Sequence, residues 1–371
     1  MRGQERSLMV LLILLLLFIT LGALASPVKP TDRNAIVARW DADSANKETT
    51  LPLQQRLEKA AWHIEQGQYA GQANKHYGRA RALLSPLLTS QPFQNDVIKN
   101  QFTHSYLLYL WARVLQHQHQ FSQAIEHLEH SITLNPNNSA AILLKANVLL
   151  TQGQFAQSKQ TCAQLVGKAD LLLTSACVLE VGANQDQLAT SYARLTQLLK
   201  PKTLHSNQQA QDWLLQLVAE MALKLNKASE AQSWLAKGLN HQQDLAQKPL
   251  SFIVLWADIQ LSLGHEQRVL QQLASIVEHA GFKDDALLTR LSLAEKPTGQ
   301  LDWQNLLAER MALRLARQDT FHSADIARFY LDIAPDPEQA LYWAEVNWQQ
   351  AKLFDDKHLL HRALLMQNNA D

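Results

Sequence analysis

The feature that most constrains the fold of this chain is an internal repeat. Residues 105–124 align without a gap on residues 139–158, and the offset between the two segments is 34 residues. Nine positions are identical, including Ala112 with Ala146. From about residue 53 onward apolar residues recur at spacings of three and four, and no alternating strand pattern of useful length is present in the sequence. The sequence therefore predicts repeated pairs of α-helices.

The residue types in this repeat resemble those of the tetratricopeptide family, whose period is about 34 residues. That pattern has a small residue midway along the first helix, a turn, an aromatic residue, a small residue on the second helix and a closing proline. The matching positions are Ala112, Phe121, Ala124 and Pro136, followed by Ala146, Gly153 and Phe155 in the next unit. Two positions depart from it, because His119 stands where glycine is usual and Ser158 where alanine is usual.

Weaker copies of the unit extend the resemblance over roughly residues 53–365, as about eight helix pairs. We therefore expect an all-α protein, a right-handed α-solenoid whose repeat domain spans residues 52–371. Residues 174–200 and 303–329 fit the spacing poorly, and a last pair is expected to begin near Pro337. Armadillo and HEAT solenoids are the alternative, but their periods of about 40–47 residues do not match an offset of 34.

Residues 1–25 have the features of a secretory signal peptide. A basic start at Arg2 and Arg6 precedes a long, leucine-rich apolar run, and an A-x-A site ends at Ala25. We expect cleavage after Ala25 and export to the periplasm of a bacterium, with residues 26–51 as a flexible leader. The alternative is an uncleaved anchor in the inner membrane, because the apolar segment is just long enough to span a bilayer.

Export changes the expectation for the two cysteines, Cys162 and Cys177, because cysteines tend to pair outside the cytoplasm. They flank residues 167–170, which have the composition of a turn between helices, and the midpoint between them falls inside that turn. In an antiparallel helix pair, residues equidistant from the turn lie opposite each other, so a disulfide is predicted. The alternative is two separate buried thiols.

Charge and motifs exclude several classes of function. The chain has 34 Lys and Arg against 34 Asp and Glu, so it lacks the basic excess that nucleic-acid binding requires. The sequence contains no zinc-protease helix, nucleophile elbow, phosphate loop or dinucleotide fingerprint. We therefore expect a protein that is not an enzyme, uses no cofactor and binds no nucleic acid.

Histidines and charged runs supply the remaining candidates for chemistry. The histidines that suggest a metal site are His117, His119, His127 and His130. His127 and His130 are three residues apart and share a helix face, which is a usable spacing for a divalent cation. The alternative is that all four are solvated polar residues. The runs Asp284-Asp285 and Asp355-Asp356-Lys357 are expected to be solvated helix caps and turns.

The resemblance to tetratricopeptide proteins implies where a partner binds. In that family the first helices line a concave surface that binds peptides or protein segments. The groove side chains implied here are Tyr106, Tyr109, Arg113, Leu143 and Asn147, with Gln216, Glu220 and Asp258 by weaker alignment. The expected function is a non-enzymatic binding scaffold or assembly factor in the periplasm or envelope, with a protein or peptide partner. The alternatives are a metal or small-molecule binder and a membrane-anchored subunit of a larger envelope complex.

Overall fold

The computed structural model describes residues 50–89, 99–199, 208–239, 245–280 and 283–370. These residues form 17 α-helices and two short 3-10 helices, with no strand among them. Numbered in chain order, the α-helices are α1 Leu53–Gln66, α2 Ala73–Thr89, α3 Gln101–His117, α4 Phe121–Leu134, α5 Ser139–Thr151, α6 Phe155–Ala163, α7 Leu171–Asn184, α8 Leu188–Leu198, α9 Gln208–Lys224, α10 Ala228–Ala236, α11 Leu250–Ser262, α12 Glu266–His279, α13 Asp285–Glu295, α14 Asp302–Ala316, α15 Ser323–Asp332, α16 Pro337–Gln350 and α17 Phe354–Asn368. The 3-10 helices are Leu245–Gln247 and Lys296–Thr298. The predicted signal peptide, residues 1–25, and all but the last two residues of the predicted leader, residues 26–51, lie outside the described residues.

The helices form consecutive antiparallel pairs arranged in two layers. Each odd-numbered helix from α1 to α15 packs against the even-numbered helix that follows it, which gives eight pairs, and α17 follows as a single last helix. Each odd-numbered helix also packs against the next odd-numbered one. Even-numbered helices contact one another less, as where Tyr192 of α8 hydrogen-bonds Glu230 and Trp234 of α10. The layer whose members pack more closely lies on the inside of the curve, so the odd-numbered helices form the inner layer. The predicted all-α solenoid is confirmed.

The last helices of the chain depart from simple pairing. The helix that begins at Pro337, α16, packs against α17, as the predicted last pair requires, and it packs against α15 as well. Residues 303–329 contain the second helix of one pair and the first helix of the next. The physical reason lies in α13, a short first helix extended by the turn Lys296–Thr298 and ended by Gly299 at φ 74°. This different exit breaks the even spacing from which the prediction was made.

Small residues set the distance between the helices of a pair. Ala112, Ala146, Ala219 and Ala257 each lie within a first helix, and each is at most 1% exposed. A larger side chain there would separate two backbones that are packed at close range. Ser158, which replaces the usual alanine of the second helix, donates a hydrogen bond of 2.7 Å from its hydroxyl to the carbonyl of Ala146. The serine therefore adds a polar link at the same close contact.

A residue in the left-handed conformation reverses the chain after five of the first helices. These residues are His119, Gly153, Asp186, Asn226 and Gly264, with φ of 57°, 74°, 65°, 59° and 72°. Glycine adopts this conformation without steric cost, whereas other residues are strained there. His119 therefore does occupy a position that favours glycine, as the sequence alignment indicates.

The predicted disulfide between Cys162 and Cys177 is present, and it joins α6 to α7 across the turn between the third and fourth pairs. The two Cα atoms are 5.7 Å apart. Both cysteines are buried in an apolar cluster that includes Ile142 and Val181. The cross-link therefore fixes two neighbouring pairs to each other in addition to their packing.

The early and late pairs of the solenoid contact each other along their edges. The carbonyl of Gln68, in the turn after α1, accepts a hydrogen bond of 2.8 Å from the N–H of Leu250 at the start of α11. The carbonyl of Thr151, at the end of α5, accepts one of 2.8 Å from the N–H of Lys352, just before α17. Turns of the early pairs thus meet the starts of late inner helices. The superhelix is closed by these contacts between residues far apart in the sequence.

The run Asp284-Asp285 is not solvated, which corrects the expectation from the sequence. Asp285 is 4% exposed and forms ion pairs with Arg310 and Arg314 of α14. Asp284 accepts a hydrogen bond of 2.6 Å from the N–H of Gly71, and its side chain does not cap α13. Both carboxylates therefore hold parts of the fold together, one of them across the closure of the superhelix.

The run 355–357 is only partly solvated. Asp356 is buried and accepts hydrogen bonds from the Asn347 amide at 2.8 Å and from the N–H of Leu353 at 2.9 Å. The second of these bonds caps the start of α17. No helix in the described part of the chain is long and apolar enough to cross a membrane.

Candidate binding surface

Five inner helices present a side chain at the same position, and we call this set the inner ladder. Its members are Arg113, Asn147, Glu180, Glu220 and Asp258, each six residues before the left-handed residue that follows its helix. Because the turns are equivalent, the five side chains lie at equivalent positions on α3, α5, α7, α9 and α11. Four of them belong to the groove that the resemblance predicts, and the fifth, Glu180, was missed by sequence reasoning.

Aromatic side chains lie at the N-terminal end of the inner layer. Phe102, Tyr106 and Tyr109 precede Arg113 along one face of α3, at spacings of four, three and four residues. The rings of Tyr106 and Tyr109 stack with their centroids 6.2 Å apart. Trp62 on α1, Phe102 and Tyr106 are 44%, 59% and 37% exposed. We call Trp62, Phe102, Tyr106 and Tyr109 the aromatic surface.

Carboxylates of α1 face the aromatic surface. Burial raises the pKa of the Tyr106 phenol, Tyr109 and Glu65 raise it further, and Glu58 adds a smaller effect in the same direction. Glu58 and Glu65 are seven residues apart, and Trp62 lies between them on the same face of α1. The aromatic surface therefore combines accessible rings with negative charge from the neighbouring helix.

The first two members of the inner ladder are tied to their neighbours. Arg113 hydrogen-bonds the phenol of Tyr77, whose pKa is raised by burial and lowered in part by this arginine. The side-chain oxygen of Asn147 accepts a hydrogen bond of 3.2 Å from the Gln116 amide of α3. Leu143, one turn before Asn147, is half-buried against the disulfide cluster. These contacts join α2, α3 and α5 into one continuous stretch of the inner layer.

The fourth member of the ladder belongs to a charge network that reaches the last helix. Lys224 Nζ lies 2.6 Å from Glu220 Oε1 and 3.1 Å from Asp355 Oδ2 of α17. Burial alone would lower the pKa of Lys224, but the two carboxylates hold it above its usual value. The lysine side chain is 13% exposed, whereas those of Glu220 and Asp355 are 43% and 49% exposed. The carboxylates are therefore accessible from the inside of the curve.

The fifth member, Asp258, accepts two hydrogen bonds from Arg290 of α13, at 2.8 Å and 2.7 Å. Burial alone would lower the pKa of Arg290, and Asp258 is the main group that raises it. Gln216, on α9, accepts a hydrogen bond of 2.9 Å from the hydroxyl of Ser251 on α11. The late part of the predicted groove is thus held by polar contacts between consecutive inner helices.

Glu180 is the member of the ladder with the most strongly perturbed environment. Burial raises its pKa to about 7, the charge of Glu220 raises it as well, and Lys224 lowers it. Sequence reasoning missed this residue because residues 174–200 fit the repeat spacing poorly. The signal that would have found it is the turn at Asp186, six residues later, which corresponds to His119 and Gly153.

The four histidines of the metal hypothesis do not form one cluster. His117 stacks on Tyr77 with ring centroids 3.8 Å apart, and burial lowers its pKa to about 4. His130 instead faces His104, whose pKa is lowered by burial and by that neighbour. His104 and His117 are separated by about 20 Å along α3, since each helical residue advances about 1.5 Å. No group of three or more His, Cys, Asp or Glu residues in the described ranges is arranged to hold a metal ion.

Comparisons with known proteins are consistent with the repeat pattern. A family model described as tetratricopeptide repeat matches residues 115–171, the part of the chain that runs from the end of α3 to the start of α7. Comparison with the curated proteins gives no match. Among solved structures, a Rap protein in complex with competence and sporulation factor is 14% identical, with a TM-score of 0.43 over 86% of this chain and 92% of that one. The tetratricopeptide domain of P58(IPK) is 14% identical, with a TM-score of 0.25 over 86% of this chain and 99% of that one.

The paired helices and the two layers define the chain as an α-solenoid built from helical hairpins. Within it, residues 115–171 match the pattern of the tetratricopeptide repeat. The two structural similarities are low, and this conclusion does not depend on them.

Proposed function

We propose that this protein is a non-catalytic scaffold that binds a segment of a partner protein along its inner layer. The observation that carries the proposal is the inner ladder, Arg113, Asn147, Glu180, Glu220 and Asp258, which continues over five consecutive pairs. An extended segment can contact one such side chain at each step. The aromatic surface supplies large, accessible rings at one end of that path, which are the residue types most often found at binding hot spots.

We further propose that the protein works outside the bacterial cytoplasm. The disulfide between Cys162 and Cys177 supports this proposal, because such bonds are stable in oxidising compartments and rare in the cytosol. Cleavage after Ala25 would release the chain into the periplasm, and retention of residues 1–25 would anchor it in the inner membrane. Mass spectrometry of the N-terminus of the purified protein distinguishes the two, since a start at Ser26 excludes the anchor.

The scaffold proposal is tested by a photo-crosslinking amino acid placed at Tyr106 of the full chain in bacterial cells. The matched control carries the same group at Glu126, an exposed residue of the outer helix α4. We expect a discrete cross-linked partner from position 106 that is absent from position 126. The double substitution Tyr109→Ala with Arg113→Ala should remove that product. Identical patterns from both positions would contradict binding along the inner layer.

A further inference from the structure

A pocket opens between α7 and α9 on the inner layer, at the middle of the ladder. Its apolar walls are Ala183, Leu217 and Met221, and its polar groups include Glu180, Glu220 and Lys224. Asn184 lies at its edge and accepts a hydrogen bond of 2.9 Å from the N–H of Phe354, at the start of α17. The pocket is thus bounded by two ladder helices and by the last helix of the chain.

The carboxylate of Glu180 forms no hydrogen bond or ion pair with any side chain or backbone group in the described part of the chain. The other charges at the pocket are satisfied, because Lys224 pairs with both Glu220 and Asp355. A half-buried carboxylate without a partner is less favourable than a paired one. This cost is expressed in its pKa of about 7, which burial raises first and Glu220 raises further. The pocket therefore presents two neighbouring carboxylates, of which one has no cation of its own.

We infer that this pocket receives the cationic side chain, lysine or arginine, of the protein segment that the inner layer binds. The inference rests on the proposed function, because the segment is the source of the cation. The charged end of the side chain meets Glu180 and Glu220, and its alkyl part lies along the mouth of the pocket, as long basic side chains do when their charge is held at one end. Charge-assisted hydrogen bonds of this kind are about twice as strong as neutral ones.

The position of the pocket favours a side chain over a free amine. Asn147 and Asp258 occupy the equivalent positions on either side of Glu180 and Glu220 in the ladder. A segment that crosses these helices brings polar groups to those positions while its basic side chain enters the pocket. A small amine has no groups that reach them. We therefore expect a peptide with lysine to bind more tightly than an alkylamine that reproduces the lysine side chain alone.

Binding of a cation should compete with binding of a proton at Glu180. The titratable groups that face this carboxylate are Glu220 and Lys224 of α9, and Asp355 of α17 through Lys224. A bound cation favours the ionised carboxylate, so it lowers the pKa of Glu180 from about 7. Affinity is therefore highest above pH 7 and falls as the pH decreases. Between pH 8 and pH 6 the ionised fraction of a group with this pKa falls about tenfold, and the affinity should fall by the same factor.

The test uses the mature chain and fluorescent peptides made of Lys-Ser-Gly repeats. Dissociation constants are measured for this peptide, for its N-acetyl-lysine counterpart and for pentylamine as a competitor. We expect the lysine peptide to bind, the acetylated peptide to bind at least about tenfold more weakly, and pentylamine to compete poorly. Glu180→Gln should weaken the lysine peptide about tenfold at pH 8 and abolish the pH dependence. Glu278→Gln, on the exposed face of the outer helix α12, is the matched control and should change neither.

Each other outcome contradicts the inference. Equal affinity for the lysine and acetyl-lysine peptides would show that the pocket does not distinguish a charged side chain from a neutral one. Unchanged affinity in Glu180→Gln, with a melting curve like that of the parent protein, would move the binding away from this pocket. Competition by pentylamine at the affinity of the peptide would make the ligand a free amine. If a partner cross-links from position 106 but binds Glu180→Gln normally, the inference fails while the scaffold function stands. If the lysine peptide binds through Glu180 but no partner cross-links, the scaffold function fails instead.

Discussion

Ala112 lies within the first helix of the second pair, at the position where the family pattern has its small residue. Its side chain is 0% exposed, so there is no free space into which a larger one can extend. We expect Ala112→Leu to lower the free energy of unfolding by about 1–3 kcal/mol through overpacking. Ala193→Leu, at an exposed position of α8, is the matched control. Urea denaturation of both variants gives the comparison, and equal midpoints would show that position 112 is not a crossing point.

His117 makes the stability of the protein depend on pH. Burial and the neighbouring His119 and His322 lower its pKa from 6.5 to about 4 in the folded state. The unfolded chain therefore binds more protons than the folded one between these two values. The folded state keeps its full stability above pH 6.5 and loses stability as the pH falls towards 4. Below pH 4 His117 causes no further loss. The loss is at most roughly 3 kcal/mol, since each pKa unit corresponds to about 1.4 kcal/mol.

The substitution His117→Phe tests this dependence, because phenylalanine keeps a ring stacked on Tyr77 and cannot titrate. Thermal melting between pH 4 and pH 7 should show a smaller decrease for this variant than for the parent protein. His358→Phe, on the exposed face of α17, is the matched control and should keep the full decrease. A parallel pH profile for His117→Phe and the parent protein would assign the pH dependence to other groups.

Between elements, the disulfide joins α6 to α7 and closes a loop with a sequence separation of 15 residues. A cross-link over a loop of about this length stabilises the folded state by about 3 kcal/mol on the chain-entropy model. We expect Cys162→Ser with Cys177→Ser to lose this amount in urea denaturation. A reducing agent should destabilise the parent protein by the same amount and leave the double variant unchanged. A loss below about 1 kcal/mol would show that the packing of α6 on α7 already restricts the unfolded chain.

The elements that could be predicted from the sequence are those whose first helix ends in a regular turn. Ala112 and Ala146 lie seven residues before His119 and Gly153, and this constant spacing is what makes the two units align at 34 residues. Pairs whose first helix ends in a different kind of turn do not align on this repeat. For α13, which is extended by the turn Lys296–Thr298, the sequence therefore gives no clear register for residues 303–329.

The residues of the candidate site could likewise be predicted only where their helix aligns with the repeat. Arg113 and Asn147 follow from the clear repeats, and Glu220 and Asp258 follow from the weaker ones. Glu180 belongs to the same ladder, but its helix carries a leucine and not an alanine seven residues before the turn at Asp186, so the sequence gives no register there. Asp355 of α17 is linked to Glu220 through Lys224. This link depends on contact between distant repeats, so it leaves no local signal in the sequence.

On the scale of the whole molecule, closure of the superhelix distinguishes this chain from an open array of repeats. In an open solenoid each repeat contacts only its neighbours, and stability is a sum of local terms. Here residues at the start of α17 contact the ends of α5, α7 and α9, through Lys352, Phe354 and Asp355. The last helix therefore limits the shape of the inner layer at the ladder. A change that opens this contact should alter the shape of the molecule without unfolding the repeats.

Gly153 allows a direct test of closure. A Cβ atom at this position would lie 2.7 Å from Cβ and 2.8 Å from Cγ of Lys352. Because the Lys352 Cβ is fixed by its own backbone, whose N–H donates to the carbonyl of Thr151, it cannot rotate away. We expect Gly153→Ala to separate α17 from the turn after α5. Small-angle X-ray scattering should show a larger radius of gyration, and amide hydrogens at the start of α17 should exchange faster.

Gly264 supplies the control that makes the closure test specific. Its φ is 72°, close to the 74° of Gly153. An alanine at either position must therefore adopt the same left-handed conformation, which destabilises the folded state by about 1–2 kcal/mol. However, a Cβ at Gly264 meets no atom within 4 Å. Gly264→Ala should therefore lower stability without changing the radius of gyration or the exchange at α17. If both variants keep the dimensions of the parent protein, the contact at Lys352 does not hold the superhelix closed, and α17 is positioned by its packing on α15 and α16 and by its contacts with α7 and α9.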